Sequence, residues 1–98
     1  MKKKFEITNG CGFHITFENG YTVSTQFGYG SYSENYSNYK MTNNAKSDDC
    51  EVAIWNNSDV WITRYIFRKI GIELNDDVAP KVDIETWYKV LETVKNEV

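Results

Sequence analysis

Chemistry-bearing residues are scarce in this 98-residue chain. It holds one histidine, one proline and two cysteines. Cys11 and Cys50, with His14 as the sole imidazole, are too few and too far apart for a zinc site, whose ligands come in closely spaced pairs. There is no phosphate-binding glycine loop and no serine-nucleophile elbow; Gly28-Tyr29-Gly30 is far too short to be one. No apolar run approaches the ~20 residues needed to span a bilayer. No apolar segment follows Met1-Lys2-Lys3-Lys4 as a signal peptide requires. Nothing in the pattern calls for a cofactor or a metal ion. The thiols read as reduced and the compartment as cytoplasmic, although a Cys11–Cys50 bridge stays open if two strand ends meet.

Positive charge is thin as well, and the net value is −3. Residues 1–47 carry five Lys against three acids, or +2; residues 48–98 carry six Lys or Arg against eleven acids, or −5. General duplex-DNA binding is excluded as a function class, because it rests on clustered cations that neutralise phosphate. The acidic half suits a basic surface on a partner; the plainer alternative is a solvated face.

What the chain does have is rings and alternation. Aromatic residues make up 15%, with seven Tyr, five Phe and three Trp, and both thin cores and binding surfaces use such residues. The length suits one domain over residues 1–98. Phe5-Glu6-Ile7-Thr8 alternates as a short edge strand, and Asn9-Gly10-Cys11-Gly12 breaks it. Phe13, Ile15 and Phe17 then alternate with His14 and Thr16, and Tyr21, Val23 and Phe27 recur on the apolar side of a second strand. A two-residue Asn19-Gly20 turn would mix polar and apolar residues on each face. A three-residue loop, Glu18-Asn19-Gly20, pairs Phe17 with Tyr21 and Ile15 with Val23, giving one apolar face and a left-handed Gly20.

Further on, Glu51–Trp55 and Val60–Phe67, joined at Asn56-Asn57-Ser58-Asp59, read as a second hairpin. Arg68–Leu74 fits a helical turn or a short strand. Asp83 is a suitable N-cap for a closing helix, Ile84–Asn96, and Pro80 a few residues earlier separates this helix from what precedes it. Ile84, Trp87, Tyr88, Leu91 and Val94 form its apolar stripe. The expected fold is α+β: an antiparallel sheet of about four to five strands, in two hairpins, covered by one C-terminal helix.

Between the hairpins, residues 28–49 lose all periodicity. Gly28 to Tyr39 is Gly, Ser, Asn and Tyr with a single charge and no aliphatic residue. Tyr with small polar residues is the composition of protein-binding loops, where rigid rings give contact area at low entropy cost. The rings of Tyr29, Tyr32, Tyr36 and Tyr39 also suit stacking on nucleobases, with Arg64, Arg68 or Lys69 meeting phosphate. A third reading has the rings folded back as a plug over the sheet. Asp48 and Asp49, with Glu51, suit a basic partner; as cation ligands their spacing matches no ion-binding loop. His14 and Cys11 are the only candidates for a thiol–imidazole pair, and no orienting third group is evident.

The string Gly12-Phe13-His14-Ile15-Thr16-Phe17-Glu18-Asn19-Gly20-Tyr21-Thr22-Val23-Ser24-Thr25-Gln26-Phe27-Gly28 resembles small phage and prophage proteins with the pattern GFxxTFxNGxTVSxQxGxGxY. Cys50-Glu51-Val52-Ala53-Ile54-Trp55 is similar to their A-E-V-A-x-W segment, with Cys50 in place of the first Ala, and Asp83–Val94 resembles their closing helix. The resemblance implies a context, a small protein carried by a mobile element. Such proteins, when they lack catalytic residues, often act as stoichiometric inhibitors of host defence, as anti-CRISPR proteins do, or as sponges for nucleotide signals. The expected partner is a host defence protein or complex, with a nucleotide ligand as the alternative and an enzyme as the third reading. A homodimer formed by pairing two apolar sheet faces is a further expectation, and no membrane contact is expected.

Overall fold

The computed structural model describes residues 3–41 and 45–98. Met1 and Lys2 of the lysine run, and Thr42, Asn43 and Asn44 of the long loop, lie outside the described residues. Five strands, β1 (Lys4–Thr8), β2 (Gly12–Thr16), β3 (Thr22–Gln26), β4 (Cys50–Trp55) and β5 (Ala79–Val82), form one antiparallel sheet in chain order. Helix α1 (Thr63–Lys69) lies between β4 and β5, and α2 (Ile84–Lys95) closes the described chain. The fold is α+β, as the patterning indicates.

The hairpin register follows from hydrophobic alternation. Ile15 stands opposite Val23, Phe17 N–H donates to Tyr21 C=O (2.9 Å), and Gly20 has φ +86°. This is the three-residue loop, and Gly20 occupies the left-handed position that such a loop requires. The apolar face buries Val23, Val52 and Ile54 against Ile66 and Phe67 of α1 and Val90 and Val94 of α2. The opposite face is polar, with Thr16 and Thr22 hydroxyls 3.0 Å apart and Gln26 Nε2 donating to Thr8 and Ser24 hydroxyls.

Three expectations are corrected. The second hairpin stops after one bridge, Trp55 to Trp61, and residues 63–69 turn into α1. The edge of β4 that a strand at 60–67 would occupy is taken by β5, through Cys50–Val82 and Val52–Ala79. Thr63 completes the handover: its hydroxyl accepts from Ile54 N–H (2.9 Å), so the end of β4 loses no bond. Second, the segment before the closing helix is itself a strand, β5, and it contains Pro80, since an outer strand tolerates a missing N–H. Third, the buried stripe of α2 runs through Trp87, Val90, Leu91 and Val94, while Ile84 and Tyr88 face solvent.

Helix α2 is held at both ends. Asp83 accepts from Thr86 N–H (2.8 Å), and these bonds keep its carboxyl below the usual range. Trp87 Nε1 donates to Thr25 Oγ1 (2.9 Å). At the far end Asn19 Nδ2 donates to Val94 C=O and Glu97 C=O, each at 2.9 Å, while its Oδ1 accepts from Tyr21 N–H. Asn19→Ala removes all three bonds, and urea unfolding should show a loss of about 2 kcal/mol.

Both cysteines are free thiols. Cys50 is buried, with its Sγ 3.6 Å from Val82 C=O; burial first, then the nearby Asp49 and Asp83 charges, push the thiol from the usual 9.0 up to about 12. A folded-state pKa above the unfolded value stabilises the fold below pH 9.0, and that contribution is lost as pH rises toward about 12. Wild-type protein should therefore lose more stability across that window than Cys50→Ala, measured by urea unfolding at stepped pH.

Candidate functional site

The described part of the 28–49 loop is a chain of tight turns held by its polar residues. Ser33 is 1% exposed and Asn35 6%. Ser33 Oγ donates to Phe27 C=O (3.1 Å) and accepts from Asn35 N–H (3.3 Å), while Ser31 Oγ donates to Gly28 C=O (2.6 Å). Asn35 Nδ2 reaches Lys46 C=O (3.2 Å). Such local side-chain bonds replace a ladder or a helix as the backbone's partners. Glu34 and the two aspartates then clasp each other: Glu34 N–H donates to Asp49 Oδ1 (2.6 Å), and Asp48 N–H donates to Glu34 Oε1 (2.7 Å).

With Ser33 and Asn35 turned in, the rings are turned out. Tyr29, Tyr32, Tyr36 and Tyr39 are between 51% and 73% exposed, so they do not plug the sheet. Tyr32 and Tyr36 stack, with centroids 5.8 Å apart and planes 13° from parallel. Tyr29 and Tyr39 line a separate hollow with Asn35, Asn38 and Met41, and Lys40 Nζ sits 5.6 Å from the Tyr39 ring. The four rings therefore form two pairs on one loop rather than one cage.

Tyr32 also ties the loop to the sheet. Its C=O accepts from Lys81 N–H (2.9 Å) on the outer side of β5, and its N–H donates to Glu51 Oε2 (3.3 Å). Beside the ring is a cleft of about 450 Å³ lined by Glu73, Leu74, Asn75, Asp76, Val78 and Pro80. Arg68 is paired with Glu73 through Nε (2.9 Å), which raises the guanidinium pKa and lowers that of the carboxyl. Arg64 uses its backbone N–H on Asp77 Oδ1 (3.1 Å). Of the expected contact residues, Arg68 is thus brought beside the Tyr32 cleft through Glu73, and Asp48 and Asp49 lie at the loop's base. Among the described residues the cations found over rings are Lys40 on Tyr39 and Lys69 on Tyr65.

His14 and Cys11 do not meet. Cys11 packs against Gly28, where an added Cβ would stand 2.3 Å from Sγ, and it lines the Tyr29 hollow. His14 stands on the polar face, its Nδ1 3.8 Å from Glu6 and its ring edge-on to Trp55 at 5.1 Å. Trp55 in turn meets Trp61 at 5.6 Å. This aromatic group was not singled out in the sequence. Its signal was the polar-face register that aligns Glu6 with His14. Among the described residues no three His, Cys, Asp or Glu side chains are grouped to hold a metal ion, and no helix is long and apolar enough to cross a membrane.

No protein-family model, curated protein or solved structure matches this chain.

Because the serines anchor and the rings do not, the two classes of substitution should separate. Tyr32→Ala with Tyr36→Ala should change unfolding free energy by no more than about 1 kcal/mol. Ser33→Ala should cost about 1–2 kcal/mol and speed amide exchange across residues 28–41, read by hydrogen–deuterium mass spectrometry.

Proposed function

We propose that this chain is a non-enzymatic binding protein whose tyrosine loop, with its surrounding carboxylates, grips a basic surface on a partner protein. The observation that carries the reading is the inside-out construction of the loop, with Ser33 and Asn35 buried and all four tyrosine rings exposed. A loop fixed by its own small residues presents rigid rings that lose little entropy on binding. The charge around it selects the partner. Glu73 and Asp76 line the cleft beside Tyr32, and Glu34, Asp48 and Asp49 crowd the loop's base.

The same charges weigh against the nucleotide alternative. Arg68 is spent on Glu73, and carboxylates beside Tyr32 repel phosphate. A base sandwiched between Tyr32 and Tyr36 needs two contact gaps, about 7 Å in all, whereas the rings stand 5.8 Å apart. A protein surface with Lys and Arg needs no such opening.

The phage resemblance supplies the setting: the partner is a component of host anti-phage defence in the host cytoplasm, held stoichiometrically in the manner of an anti-CRISPR protein. Pull-down with the tagged full chain from a native host should recover one defence component at equimolar yield. Tyr32→Ala with Tyr36→Ala should abolish recovery while circular dichroism stays unchanged. Undiminished recovery of the same component with that variant would overturn the assignment of the loop. A thermal shift with cyclic dinucleotides or ADP-ribose-like compounds, and no protein recovered, would decide for the nucleotide reading.

A further inference from the structure

The two outer strands of the sheet are treated differently. On β5 the loop takes up Lys81 N–H through Tyr32 C=O. On β1, among the described residues, no segment pairs with the outer side. Which groups are left there follows from the register. The Phe17–Tyr21 and Phe27–Cys11 bonds make the odd residues of β2 the ones that bond toward β3. In an antiparallel ladder these directions alternate, so the even residues of β2 bond toward β1. They stand opposite Lys4, Glu6 and Thr8. The backbone groups of Lys3, Phe5 and Ile7 therefore point outward. The side chains of Phe5 and Ile7 are 80% and 82% exposed, on the sheet side that the helices cover elsewhere. An open edge bearing large apolar side chains is a template for another strand.

The sequence of this edge fits its own copy. Antiparallel pairing about a two-fold axis at Phe5 sets Phe5 against Phe5, Lys4 against Glu6 and Lys3 against Ile7. Both polar-face pairs then join opposite charges, and the outward groups of Lys3, Phe5 and Ile7 all find partners. An axis at Glu6 faces glutamate with glutamate, and an axis at Lys4 faces lysine with lysine; odd shifts put apolar side chains on the polar face. Lys4 and Glu6 are both exposed, and at 3.9 Å within one strand they form only a loose pair, which leaves them available across the axis. The lysine stem at position 3 lies on the apolar side and covers the partner's Ile7.

We propose that the chain forms a two-fold homodimer by pairing β1 with β1 of a second copy, centred on Phe5, to give one continuous ten-stranded sheet. The contact is edge to edge, not the pairing of sheet faces, and it is independent of the tyrosine loop. A charge-reversal exchange tests it with the full-length chain. In Lys4→Glu alone both cross-strand pairs become Glu opposite Glu, and in Glu6→Lys alone both become Lys opposite Lys. Mixed together, the two variants restore every pair. Sedimentation equilibrium should show wild-type dimers and a dimer dissociation constant raised about tenfold or more in each variant alone. The mixture should return to the wild-type value as a heterodimer. Circular dichroism controls for folding. Monomeric wild type at the highest soluble concentration overturns the proposal, as do variants that dimerise like wild type or a mixture that fails to recover.

Discussion

Asn19 joins two parts of the chain that lie 75 residues apart, and most of the architecture depends on that junction. One end of its amide closes the turn between β2 and β3; the other adds a bond to the Val94 carbonyl in the last turn of α2 and one to the Glu97 carbonyl just beyond it. The indole of Trp87 fixes the other end of the helix to Thr25 on β3. With both anchors on the β2–β3 hairpin, α2 has one position, and the core between Val23, Ile54, Val90 and Val94 closes beneath it. Lys69, set over Tyr65 and bonded to Glu97, then draws α1 against the same end.

That placement leaves a strand over. Each helix is about 10 Å wide and strands lie about 4.8 Å apart, so two helices cover about four strands. The fifth, β1, lies beyond the anchored hairpin, and its Phe5 and Ile7 remain in water. The exposure is a geometric consequence of where the helix is tied.

The hairpin was legible because only one register gives one apolar face, and the cap at Asp83 because its side chain does what its position implies. The rest needed information from other parts of the chain. Val60–Phe67 reads as a strand apolar on both faces, and with strand β5 on the edge of β4 the chain turns into α1 from Thr63. That strand was hidden because Pro80 reads as a break in any strand whose edge position is unknown. In α2 the pattern permitted two adjoining stripes; the Asn19 and Thr25 bonds turn Val90 inward and leave Ile84 and Tyr88 outside. The loop was recognisable from its composition, but its order rests on successive tight turns and local bonds from Ser31, Ser33 and Asn35, which leave no period to read.

The Tyr32 end of the loop is tied to β5 and the bare strand is β1, the last and first members of one sheet, while Tyr29 and Tyr39 reach back to the β1–β2 turn at Asn9–Gly12. A partner held at the Tyr32–Tyr36 pair therefore lies at the edge away from β1. In the dimer inferred from the Phe5 register, the two Tyr32–Tyr36 pairs stand toward the far ends of the joined sheet. If the partner is itself a multimer with basic surfaces at that spacing, the second contact becomes intramolecular and the complex tightens without any new interface. If the spacing does not match, each loop binds alone. Asn19 thus shapes the candidate function indirectly: by holding α2 over the central strands it leaves one edge of the sheet open for a second copy, while the loop closes the other.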